Sequence, residues 1–493
     1  MATYWKGGNG QWQVAANWSD GAPTTPASDA IINKAGTYTV TVGSGLEYHV
    51  GSVLLNDAGA TLSIRGILDI QKILKVSKGT LALAGTISGG TLAAAGGTIS
   101  FRNGTLNGVT YRGTLDLNSA AATLTVTGGL TLTSSVGGAG ALQLGGSGHV
   151  TFAGDQTVDG GTITITGGEV DVSGTLTFGS SAVVQYESAT NAFGNVASIT
   201  NAGTFSVAKG AMLVTSGQLT NLGTLTVSGG HFIASGLSNS GTATLTVGAG
   251  SLFKVSDFVN SGTLTANMAT IDLNAGNGPL GNLKVAHSQI DIAGVESAST
   301  ANSLSRMLAG HHNQFTLGLA IDNTGQTIRL RAPSGFDAFT CDGTITGGTV
   351  TIDAPFSGQL TNLTVKGSLN TITGASIQHV TFEGADGSGP GSINLAGTLR
   401  QGYGDGQLAL DNVTVSAKAG STLLGDDYLT LGSGFSLQAL GAFTFNNGPA
   451  EDRLCGLINN GILEADGGSG STFVLESYYI TNNGTIRVEN GGT

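Results

Sequence analysis

Between Val196 and Leu273 one short phrase occurs four times: Thr200-Asn201-Ala202-Gly203-Thr204, Thr220-Asn221-Leu222-Gly223-Thr224, Ser238-Asn239-Ser240-Gly241-Thr242 and Val259-Asn260-Ser261-Gly262-Thr263. Its asparagines step by 20, 18 and 21 residues, and an alternating segment such as Leu225-Thr226-Val227 or Leu264-Thr265-Ala266 follows. A period near twenty marks a solenoid, whose units bury their apolar faces only against one another. Each segment of three to five residues is too short to stand alone and gains a hydrogen-bond ladder only by stacking on its neighbours, about 4.8 Å away. Alternation sends Leu and Val inward and the threonines outward. Asn and Gly tolerate a left-handed backbone, so Asn-x-Gly is expected to make the corner.

The fold class that follows is all-β, a single-stranded parallel β-helix. No segment of helical length carries a 3.6-residue period, and 82 glycines disfavour helix almost everywhere. A propeller would show a period of about 40–45 residues with tryptophan signatures. Collagen would need glycine at every third position and far more than seven prolines. Roughly twenty coils would make a rod on the order of 100 Å long.

Only 10% of the residues are charged and the formal net charge is −12, which argues against nucleic acid as a partner. No apolar run reaches the length of a membrane span, and Met1-Ala2-Thr3-Tyr4-Trp5-Lys6 lacks the apolar core of a signal peptide. Cys341 and Cys455, 114 residues apart, would lie about five coils from each other. A disulfide needs Cα atoms within about 7 Å, so both are expected as thiols packed like small hydrophobes.

In chain order, residues 1–45 hold all three tryptophans and the strand Thr37-Tyr38-Thr39-Val40-Thr41-Val42. They read as an aromatic cap over the first coil, whose apolar cross-section and open strand edges need cover. The alternative is a sugar-binding platform of Trp5, Trp12 and Trp18. Residues 46–294 read as a first block of coils. Residues 295–335 break the rhythm with a short helical pattern over Glu296–Leu308, ended by Gly310, and then His311-His312, so they read as an insertion or junction. Residues 336–493 resume the coils, ending without an evident cap, which suggests continuation or end-to-end self-association. Gly85-Thr86-Ile87-Ser88-Gly89-Gly90-Thr91-Leu92 reappears as Gly343-Thr344-Ile345-Thr346-Gly347-Gly348-Thr349-Val350, an offset of 258 residues that points to duplication.

The opening Trp5-Lys6-Gly7-Gly8-Asn9-Gly10-Gln11-Trp12 with Asn17-Trp18-Ser19, the duplicated module and the Asn-x-Gly-Thr coils resemble very large bacterial β-helical surface proteins, both autotransporter passenger domains and filamentous-haemagglutinin-like adhesins. The resemblance spans most of the chain and is one of repeats. It implies a right-handed β-helix outside the cell, secreted or at the surface, often serving adhesion or biofilm matrix contact. Nothing here resembles the membrane barrel that ends a complete autotransporter.

Chemistry is sparser. Polysaccharide lyases and tailspike hydrolases of this fold need carboxylates converging with one another or with a base. Asp155, Asp159, Glu169 and Asp171 are the densest acidic set on adjoining coils, yet no Arg or Lys lies between Arg112 and Lys209. Gly402-Tyr403-Gly404-Asp405-Gly406 echoes once a calcium-binding repeat that works in tandem, making Asp405 the calcium candidate, with Asp386, Asp426 and Asp427 nearby. No other cofactor is suggested. Adjacent His311 and His312 would point to opposite faces of a strand, which disfavours a shared metal. Thr-x-Thr strands such as Thr162-Ile163-Thr164 raise ice binding, but their spacing is uneven and threonine simply favours strands. The expectation is an extracellular adhesive rod contacting host or matrix glycans or proteins, with a carbohydrate-active enzyme as the alternative.

Overall fold

In the computed structural model the chain winds as a parallel β-solenoid of about 20 turns. The described residues are all except 120, 135–137, 277, 308–311, 332–335, 354–357, 373, 402–408, 426–427, 447–455, 467–469 and 492. Two compact units are formed by Met1–Val255 and Ser256–Thr493.

In the first unit, Val183–Tyr186, Thr204–Val207, Thr224–Val227 and Thr244–Val247 stack in register. Val184, Phe205, Leu225 and Leu245 therefore form one internal column, each fully buried. The threonine columns outside are interrupted: Thr162 is followed by Val183 before Thr204, and Thr164 by Gln185 and Ser206 before Thr226.

The Asn-x-Gly-Thr corner works differently from the left-handed turn expected of it. Asn201, Asn221 and Asn239 are buried, and neither they nor Gly203 and Gly223 have positive φ. The Asn201 amide donates to Asn221 Oδ1 at 2.8 Å and the Asn221 amide to Asn239 Oδ1 at 2.7 Å, forming an internal amide ladder. In the second unit the side-chain oxygens of Asn260 and Asn459 accept the backbone N–H of Gly262 and Gly461; the Asn459 amide still donates to Asn482 Oδ1 at 2.7 Å, whereas the Asn260 amide donates to the Leu280 carbonyl at 2.8 Å. Gly is required by crowding: a Cβ on Gly203 would lie 2.2 Å from the Ala182 carbonyl oxygen, and one on Gly223 2.1 Å from that of Gly203.

At the N-terminus, Ala2–Tyr4 pairs with Asp29–Ile32, which pairs with Glu47–Ile64. Trp18 meets Trp5 and Trp12 edge-on, with both centroid separations 5.0 Å. In the second unit, helix Ala298–Met307 is inserted before the strand Asn313–Asp322. Ser297 caps it by accepting the Thr300 N–H at 3.1 Å. Ala298, Ala301 and Leu304 form its buried face, while Asn302 bonds both ways with the backbone of Thr327 and Arg329. Cys341 is a buried free thiol whose pKa burial pushes up; Cys455 lies outside the described residues.

Candidate functional site

The second unit stacks a column of outward side chains on successive coils: Arg329, Thr351, Asn370, Asn394, Ser416, Gln438, Glu464 and Arg487. Its first part floors an open groove of about 440 Å³. The Asn394 amide donates to Asn370 Oδ1 at 2.7 Å, so these two amides of the floor are held in a fixed order. Ile372 and Leu440 line the same groove and are about half exposed, at 50% and 47%. Arg329 and Lys418 add positive charge, and Arg329 Nη1 lies 3.4 Å from each oxygen of Asp353. Aliphatic side chains beside an ordered polar ladder suit a flat ligand with hydroxyl groups on its edges and C–H groups on its faces.

Sequence reasoning did not single out these residues. A signal was present: Asn370, Asn394 and Ser416 are 24 and 22 residues apart, each preceded by an aliphatic residue and, one before that, by Ser or Thr. Only the register, however, establishes that they share a face.

The acidic set does not converge as a foursome. Glu169 is opposite His149, and Asp171 opposite Thr151, on adjacent coils. His149 Nε2 is 3.0 Å from Asp171 Oδ2. A Cβ on Gly194 would lie 2.8 Å from Asp171 Oδ1 and 3.2 Å from Glu169 Oε1, so both carboxylates lean over a position without a side chain. Asp155 instead accepts the Thr175 N–H at 2.8 Å. Asp159 accepts from Ser181 Oγ at 2.6 Å and from the Gly160 N–H at 2.9 Å, bonds that hold its carboxyl below the usual range. Register, and not sequence spacing, sets His149 beside Glu169 and Asp171.

Three carboxylates meet elsewhere, in Glu464, Asp466 and Glu489, with one oxygen of each within 4.8 Å of the others. Arg487 donates to Glu464 at 2.8 Å and faces Glu489 at 3.6 Å; Gln438 and Asn490 donate to Asp466. These bonds tie Glu464 and Asp466 to neighbouring coils.

The tryptophans present no face to a sugar. Trp5, Trp12 and Trp18 are at most 2% exposed, and their indole N–H groups donate to the carbonyls of Gly8, Pro23 and Trp12. The platform reading is therefore set aside in favour of internal packing. Asp405, Asp426, Asp427 and His311 lie outside the described residues. Asp386 accepts from the backbone and side chain of Ser388 in an exposed turn. Among the described residues no helix is long and apolar enough to cross a membrane. Comparison with protein-family models, with curated proteins and with solved structures gives no match.

Proposed function

We propose that the chain is a non-enzymatic adhesive solenoid, displayed outside a bacterial cell, that contacts a polymeric glycan along the polar column of its second unit. The observation that carries this reading is the ordered Asn370–Asn394 ladder flanked by exposed Ile372 and Leu440. Such a floor matches the alternating hydroxyl edge and C–H face of a sugar chain, and a repeating ligand suits a repeating surface. Glycan-array binding by the full chain, with no shortening of the bound oligosaccharides, is the expected outcome. Asn394→Leu should remove most of that binding while the far-ultraviolet spectrum stays unchanged. Unaltered binding in this variant, or product release from the bound glycan, overturns the reading.

The carbohydrate-active alternative draws on His149, Glu169 and Asp171. Cleavage lost in both Glu169→Gln and Asp171→Asn would favour it.

A further inference from the structure

Met268, His287 and His312 occupy the same corner of three consecutive coils. Two residues beyond each, Thr270 pairs with Gln289 and Gln289 with Gln314. All three side chains are exposed, and all three backbones are left-handed, with φ of 52°, 51° and 54°. A side chain in that conformation costs on the order of 1 kcal/mol, which Gly avoids. Elsewhere among the described residues, left-handed positions are held by Gly or Asn, His379 excepted. Two histidines and a methionine on one such column therefore stand out.

The corner beneath them is rigid. Ser288 Oγ accepts the Ala269 N–H at 3.2 Å and donates to the Ala286 carbonyl at 2.8 Å. Asn313 Oδ1 accepts the Ser288 N–H at 2.9 Å, and its amide donates to the Val285 carbonyl at 3.2 Å. On this support the His287 and His312 rings lie with centroids 5.5 Å apart and planes 27° from parallel. A transition ion holds imidazole nitrogens at about 2.0–2.1 Å, so two ligands from neighbouring coils can meet at one ion after a modest turn of each exposed ring about Cβ–Cγ.

We propose that His287 and His312 form a two-nitrogen site for a divalent late first-row transition ion. Imidazole donors select this class over calcium or magnesium, which prefer oxygen, and copper(II) binds tightest within the series. Water fills the remaining positions. Met268 supplies a soft thioether at the next place in the column.

His379 provides the internal control. Its φ is 53° and it is likewise a corner residue, but its neighbour on the preceding coil is Asn362, because Thr364 pairs with Thr381. The test is copper(II) titration of the full chain by calorimetry and electron paramagnetic resonance. Wild type should bind one equivalent saturably with two nitrogens in the hyperfine pattern. His287→Asn and His312→Asn keep a residue that tolerates the left-handed backbone, so both should fold, as circular dichroism will report. Each should weaken binding about tenfold or more, which is about 1.4 kcal/mol, whereas His379→Asn should leave it unchanged. Lack of saturable binding by wild type, wild-type affinity in His287→Asn or His312→Asn, or an equal loss in His379→Asn overturns the proposal.

Discussion

Asn221 receives the amide of Asn201 and passes its own amide to Asn239, with all three side chains buried inside the first unit. It also donates to the Thr244 carbonyl at 3.2 Å. Asn221→Leu removes both ladder bonds, the one accepted from Asn201 and the one donated to Asn239, inside a buried stack, an expected cost of about 2–4 kcal/mol in denaturant unfolding. Asn221→Asp should cost more at neutral pH, because a carboxylate cannot donate to Asn239. Part of that loss should return on acidification, when the carboxyl regains a proton to donate.

The corner glycines fall into two physical classes, and single alanine substitutions separate them. Gly223→Ala drives a Cβ into the Gly203 carbonyl, so a loss of about 1–3 kcal/mol is expected. Gly250 has φ +70°, and a methyl group added there would meet nothing within 4 Å, so Gly250→Ala carries backbone strain alone, about 1 kcal/mol. Thermal unfolding of the two variants should rank them in that order.

How much was legible follows from the same residues. The solenoid was readable because a twenty-residue period and alternating Leu-Thr-Val segments are local properties of the string. The role of asparagine was not, because an isolated Asn-x-Gly suggests an exposed left-handed turn, and only stacking gives the side chain an internal partner. Glu169 and Asp171 were readable only as part of an acidic set with Asp155 and Asp159, while His149, 20 residues before Glu169, joins them only through register. Asn370 and Asn394 escaped notice for the same reason.

Trp18 is the hinge of the aromatic cluster, touching Trp5 and Trp12 and donating to the Trp12 carbonyl at 2.7 Å. Trp18→Ala should destabilise the N-terminal coils by about 3–5 kcal/mol. Tryptophan fluorescence should then report an early transition that precedes loss of the far-ultraviolet β signal.

Acid should act through Asp159. Its folded-state pKa is depressed below the ordinary 3.8, first by the Ser181 hydroxyl and then by the Gly160 N–H. A depressed carboxyl contributes stability that is present above its unfolded pKa and is lost as pH falls through the folded value. Ser181→Ala should move the Asp159 titration upward toward the ordinary value in carbon-detected NMR, and should flatten the acid limb of stability against pH.

The close approach of glycine to the carbonyl of the preceding turn also makes the chain tolerant of editing in whole storeys. Asn201 and Asn221 are equivalent points on successive windings, so excising residues 202–221 would carry the backbone from Asn201 directly into Leu222-Gly223-Thr224 with every inward and outward position preserved. Growth or shortening by this quantum leaves no misfit at the seam, whereas removal of half as many residues would set corners against strands along everything that follows.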